Sequence, residues 1–350
     1  MQRTFLGTSD LEVSRLCLGT MTWGSQNTPE EAFSQIDYAL DHGMNFIDTA
    51  ELYPTTPSAA QTTGDTERII GAWLERTGRR GEVILASKIA GAGNRNVRPD
   101  GAPIGPATLR AALDGSLKRL KTDHIDLYQL HWPNRGSYHF RRSWTFDPTR
   151  QPEGQADEFH EILATLAGFV AGGKVRHVGL SNESAFGLAT CLELARRHGL
   201  PRIVSIQNEY SLLHRIFDLD LAEMCHHEHV GLMAYSPLAA GLLSGKYEDG
   251  IVPPGSRASI NPTLFGRRSA ASAPVVTAYV ALARQHGLDP AQMALAFCMS
   301  RPFMASTIIG ATSMRQLATD VAAAALTLST EVNTRKNPSA VDAGGDPDAP

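Results

Sequence analysis

Eight short apolar runs recur along this chain, and a segment of helical periodicity separates most of them from the next. That alternation constrains the fold more than any other feature. The runs are SRLCLGT, MNFIDT, VILASK, IDLYQLH, VRHVGLS, RIVSIQN, VGLMAYS and STIIGA. EEAFSQIDYALDHG, TERIIGAWLERTG, PATLRAALDGSLKRLK, EFHEILATLAGFVAGG and FGLATCLELARRHG lie between them, with apolar positions three and four apart. Gly43, after Asp41 and His42, fits a left-handed helix stop. Eight strands joined in this way predict a closed parallel α/β barrel. An open doubly wound sheet needs a glycine-rich first turn, which LCLGTMTWG does not supply. The opening RTFLGTSDLEVS reads as a β-hairpin turning at Thr8-Ser9-Asp10, suited to plugging the barrel bottom.

The chain has 350 residues and 42% hydrophobic content, enough for one such barrel over residues 1–329. Residues 330–350 are rich in Pro, Gly and Asp and are expected to form a poorly ordered tail. The formal net charge is -4, without a basic stripe, which argues against a nucleic-acid partner. No apolar stretch reaches the roughly 20 residues of a membrane helix, and the N-terminus lacks a signal core. The cysteines Cys17, Cys191, Cys225 and Cys298 are scattered, which fits a reducing cytoplasm better than a disulfide framework. A monomer is the default expectation. Three connections, Pro54–Gly64, Pro133–Gln155 and Ala240–Pro274, are long and follow strand exits, the functional rim of such a barrel.

Three of the runs deliver polar residues at that rim. MNFIDTAELY supplies Asp48 and Tyr53, VILASK ends at Lys88, and IDLYQLH ends at His131. A tyrosine is a weak proton donor at neutral pH, and a nearby ammonium lowers its pKa. Lys88 is placed to supply that charge, and Asp48 is the carboxylate that would keep Lys88 protonated. His131 is placed to donate to an oxygen beside Tyr53. Such a set protonates and polarises a carbonyl while another group attacks its carbon. None of the four is an obvious nucleophile or metal ligand set, so the attacking group is expected from a cofactor.

Two other motifs carry less. GAGNRN at 91–96 lacks the third glycine of a dinucleotide fingerprint. HHEH at 226–229 lacks the HExxH spacing, and no metal site is expected. A Schiff-base role for Lys88 would leave Tyr53 and His131 without a task.

GMNFIDTAELYP, VILASK, IDLYQLHWP, GKVRHVGLSN, IQNEYSLL, MAYSPLAAGLLSGKY and IIGATSMRQL, in this order from Gln2 to Ser329, resemble the aldo-keto reductases. LGTMTWGSQN, YSLL and HGLDPAQMALAF resemble most the bacterial Tas-like branch. The resemblance implies an (α/β)8 TIM barrel with long loops on the C-terminal rim, binding NADP(H) and reducing a small carbonyl substrate. It implies Tyr53 as general acid–base, tuned by Lys88 and Asp48, with His131 orienting the carbonyl. Ser181, Asn182 and Gln207 match positions holding the carboxamide, and Tyr235 matches the ring stacked on the nicotinamide. Ser236, Leu238 and Gly241 match the pyrophosphate loop, to which Lys246 and Arg257 add positive charge. Gly310, Thr312 and Gln316 match the adenosine-phosphate end, where Gly310-Ala311-Thr312-Ser313 would offer free helix-opening amides. Trp23, Trp132 and Trp144 are expected to form an aromatic substrate mouth with Tyr53. The family often closes its adenosine motif with Glu-Asn, where this chain has Thr319-Asp320, and an Asp near a 2′-phosphate would weaken NADP(H) preference. The family's C-terminal helix pattern is also lost after Leu328. A related branch, the potassium-channel β subunits, binds NADP(H) with little turnover, which makes a redox-sensing regulator the alternative.

Overall fold

The computed structural model describes residues 1–334. The chain opens with an antiparallel hairpin, β1 (Arg3–Phe5) and β2 (Glu12–Ser14). Eight parallel strands follow: β3 (Leu16–Gly19), β4 (Phe46–Asp48), β5 (Ile84–Ile89), β6 (Ile125–Leu130), β7 (Val175–Ser181), β8 (Ile203–Glu209), β9 (Gly231–Tyr235) and β10 (Met304–Ile309). Each pairs with the next, and β10 pairs back onto β3, Thr307 opposite Leu16, so the sheet closes into a barrel. All eight apolar runs are barrel strands, because a strand buried on both faces reads as a continuous apolar run.

The outer layer is helical: α1 (Pro29–Asp41), α2 (Asp65–Thr77), α3 (Pro106–Leu120), α4 (Gln155–Ala171), α5 (Ala185–His198) and α6 (Asp220–His227), then α7 (Arg257–Ile260), α8 (Ser272–Gln285), α9 (Pro290–Met299), α10 (Met314–Ala322) and α11 (Thr330–Thr334). Local chemistry sets their ends. Thr28 caps α1 in a reciprocal box, accepting from the Glu31 amide at 3.2 Å while Glu31 accepts from the Thr28 amide at 2.9 Å. Gly43 follows α1 with φ +77°, in the left-handed region. The expected end of order at residue 329 is exceeded by α11, which buries Val332 against the main core. The remainder of the expected tail, 335–350, lies outside the described residues.

Two apolar layers result. One fills the space between strands and helices. The other is a smaller plug in which Leu6, Leu11 and Val13 of the hairpin meet Phe46, Leu127, Val204, Met233 and Ala305 inside the barrel. Asp10 at the hairpin turn ties it to β7, accepting from His177 Nε2 at 2.6 Å and from Arg176 at 2.9 Å. The hairpin thus plugs the barrel interior at the N-terminal ends of its strands, while the opposite rim opens into a large cleft.

Gly7 sits where the hairpin turns into the barrel. Its φ is +58°, and a Cβ there would lie 2.2 Å from the Val204 carbonyl oxygen. Gly7→Ala should therefore lose more than the ~1 kcal/mol of left-handed strain alone, measured as a fall in the urea midpoint, whereas an Ala at open Gly173 should cost less.

Candidate active site

Barrel closure brings the polar strand exits together. Lys88 is wholly buried, and its ammonium donates to Asp48 Oδ2 at 2.7 Å, to the Thr49 carbonyl at 2.8 Å and to the Tyr53 hydroxyl at 3.4 Å. Burial alone would strip its proton, but Asp48 and then Tyr53 hold Lys88 above the usual lysine range. Asp48 receives two further donors on Oδ1, from Gln207 Nε2 at 2.8 Å and Gln129 Nε2 at 3.3 Å. Gln129 was not singled out from the sequence. Its signal is a polar residue two before His131, on the strand face that also carries Leu127.

The expected lowering of the Tyr53 pKa is not the net result. Lys88 does pull it down, but burial outweighs that pull and the hydroxyl stands above the ordinary phenol value. Tyr53 is therefore protonated at neutral pH. His131 meets the Tyr53 ring edge-on, with centroids 5.8 Å apart. Burial, with Lys88 acting in the same direction, holds its imidazole well below the usual range, so it is neutral. Its Nδ1 is buried with no hydrogen-bond partner among the described residues.

Asp48, Tyr53 and His131 line one end of a cleft of about 1510 Å³, with Lys88 buried behind them. Ser181, Asn182, Gln207, Tyr235, Ser236, Leu238, Gly241, Lys246, Arg257, Gly310, Thr312 and Gln316 all line the same cleft. Asn182 Nδ2 donates to the His131 carbonyl at 2.9 Å and to Ser181 Oγ at 3.1 Å, while Tyr235 donates to Asn182 Oδ1 at 2.7 Å. Gln207 spends its amide hydrogens on Asp48 and Gln129. What these two amides have left for a ligand is acceptor capacity, which suits an NH₂ group. Ser236, Ala239, Ala240 and Gly241 all have positive φ, so the loop after β9 turns tightly along the cleft. Among the described residues, neither Lys246 nor Arg257 has a carboxylate within ion-pair distance, and Arg257 is half-buried. Unpaired cations in a cleft, next to convergent amide acceptors and a flat tyrosine, fit a dinucleotide with its anionic phosphates.

Three expectations need correction. Trp23 is fully buried and donates to Gln35 at 3.0 Å, so it is core packing beneath the rim. Trp144 is 62% exposed and does not line the cleft. Of the three tryptophans only Trp132 lines it, anchored by its indole N–H on the Ala92 carbonyl at 3.1 Å. The amides before α10 are also not all free, because Thr312 N–H donates to Gln316 Oε1 at 2.9 Å and Gln316 N–H to the Ser313 cap at 3.3 Å.

A model of the aldo/keto reductase family matches residues 15–337. The chain is 48% identical over 334 residues to protein tas of Escherichia coli (strain K12), covering 93% of each chain. It is 34% identical to the uncharacterized oxidoreductase YrpG of Bacillus subtilis (strain 168), over 95% of this chain and 94% of that one. It is 30% identical to a putative voltage-gated potassium channel subunit beta of Schizosaccharomyces pombe, over 91% of this chain and 87% of that one.

Asp320, at the far end of the cleft, is 4% exposed and accepts no side-chain hydrogen bond among the described residues. Burial raises its carboxyl to about 7, Asp289 pushes the same way and Lys246 opposes. A folded pKa above the unfolded value of 3.8 means that the folded protein holds the extra proton between about 4 and 7. Stability then falls as pH rises through that window. Asp320→Asn should gain stability at pH 8, by at most ~4 kcal/mol (about three units at 1.36 kcal/mol each), and the gain should fade toward pH 4. Thermal melting of both proteins across this range checks it, and a gain independent of pH would contradict it.

Proposed function

The chain belongs to the aldo/keto reductase family, and we propose that it reduces an aldehyde or ketone to an alcohol with NADP(H). The observation that carries this reading is the buried Lys88–Asp48 pair held against Tyr53 at the wall of a cleft that His131 also lines and whose other arm holds Lys246 and Arg257, without a carboxylate partner among the described residues. Tyr53 is the proton donor. Its hydroxyl is protonated at neutral pH and stands beside an ammonium that stabilises the phenolate left after transfer. Asp48 keeps that ammonium charged. His131, neutral and without a partner on Nδ1, offers a hydrogen bond from Nε2–H to the carbonyl oxygen while keeping its proton, fixing which oxygen lone pair meets Tyr53.

When bound, NADP(H) would supply a hydride to the carbonyl carbon. Ser181, Asn182 and Gln207 would hold its carboxamide, with Asn182 and Gln207 offering acceptors, and Tyr235 would offer its ring to the nicotinamide. Ser236, Leu238 and Gly241 with Lys246 and Arg257 take the diphosphate. Gly310, Thr312 and Gln316 take the adenosine end. The four cysteines are free and buried, which fits a reducing cytoplasmic setting.

A second reading, a cofactor-binding regulator with little turnover, is favoured by the likeness to the channel β subunit. NADPH oxidation with 4-nitrobenzaldehyde separates the two. Tyr53→Phe should lower kcat by about 10²-fold or more, while NADPH affinity, read by fluorescence, stays within about twofold. Lys88→Met should move or abolish the pH profile. Because His131 is neutral, the rate should show no step near pH 6.5, the usual imidazole value. Tight NADPH binding with no turnover on any aldehyde would favour the regulator.

A further inference from the structure

Glu209, the last residue of β8, is buried behind Arg141 and Arg267, which line the cleft, and it joins two of the three long rim loops. Arg267, from the loop 240–274, binds it with two parallel bonds, Nε to Oε1 and Nη2 to Oε2, both 2.8 Å. Arg141, from the loop 133–155, donates to Oε1 at 3.0 Å. Burial would raise this carboxyl, but Arg267, His214 and Arg141 together bring it down to about 2, so the carboxylate is ionised at any working pH. The two loops touch here, since a Cβ on Gly266 would lie 3.3 Å from Arg141 Cδ.

Each arginine stands beside an aromatic residue in an unusual backbone state. Phe140 and Arg141 have φ of +57° and +63°, and Leu264 and Phe265 have φ of +51° and +59°. Bulky residues avoid this region, so two consecutive pairs of them must be held there by their surroundings. Phe140 and Phe265 both line the cleft and are still 55% and 45% exposed. Trp132 meets the Phe140 ring edge-on at 6.1 Å. Rings held out at the rim over a cleft, at the expense of backbone strain, form a recognition surface for a flat apolar partner.

We propose that Glu209 is the positioning residue of the substrate mouth, holding both loops through Arg141 and Arg267 so that Phe140, Phe265 and Trp132 select flat aromatic carbonyl substrates over short aliphatic ones. This rests on the carbonyl-reductase reading for its chemistry, but its recognition half can be read by binding alone. The salt bridge does not touch the reacting groups, so its effect falls on KM for large substrates.

The experiment uses the full chain and two probes, 2-naphthaldehyde and propanal, with NADPH. Wild type should favour 2-naphthaldehyde in kcat/KM. Phe140→Ala and Phe265→Ala should each raise KM for 2-naphthaldehyde about fivefold or more, a rise well above that for propanal. Glu209→Gln should raise that KM about tenfold, and Glu209→Asp should recover part of the loss. Calorimetric binding of 2-naphthaldehyde to the NADP⁺-saturated protein should weaken in the same order. It is scored even if no carbonyl turns over, an outcome that would defeat the reductase reading alone. Equal losses for both aldehydes, no wild-type preference, or binding unchanged in both Phe variants would overturn the proposal. Should Glu209→Gln fail to fold, the two Phe variants decide it.

Discussion

A lysine ammonium with no exposure to solvent is the constraint on which the rest of the rim depends. Such a charge is tolerated only where a carboxylate and further hydrogen bonds replace the lost water. Lys88 finds Asp48 on the neighbouring strand, and Asp48 in turn needs Gln129 and Gln207. Those four residues come from β4, β5, β6 and β8, so the pair is satisfied only when the sheet has closed across its interior. The same network then fixes the environment of Tyr53, whose hydroxyl is the next group along. Removing one member of a buried pair leaves the other uncompensated, at a cost of about 3–5 kcal/mol.

Two other buried carboxylates near the cleft show contrasting electrostatic solutions. Glu209 has two guanidinium groups and stays ionised. Asp320 has none, and burial raises its carboxyl to about 7. Burial is similar for both, so what separates them is the supply of nearby cations. The first arrangement spends arginines that would otherwise attract anions, while Lys246 and Arg257 remain uncommitted in the same cleft.

The strands, hairpin and first five helices were legible because apolar periodicity records burial directly. The meeting of Asp48, Tyr53, Lys88 and His131 was legible because polar residues at the exits of apolar runs contradict that periodicity, as at Asp48, Lys88 and His131. Gln129 carried the same contradiction more weakly. Trp23 and Trp144 were misread because an aromatic residue near a rim is compatible with core, solvent or cleft, and only three-dimensional packing decides. The Glu209 bridge was illegible, since its partners lie 68 and 58 positions away in loops without periodicity. Free amides before α10 were expected from helix geometry alone, and the sequence had no means of saying that the Gln316 side chain folds back to take one of them.

The hairpin plug has a practical corollary. Met1 packs near Gly43, beside the N-terminal end of β4, with the closed floor between it and the cleft. An affinity handle, a fluorescent fusion or a tether to a solid support attached at this terminus would hang from the far side of the molecule and leave the mouth facing the medium. The barrel thus comes with a natural orientation for immobilisation.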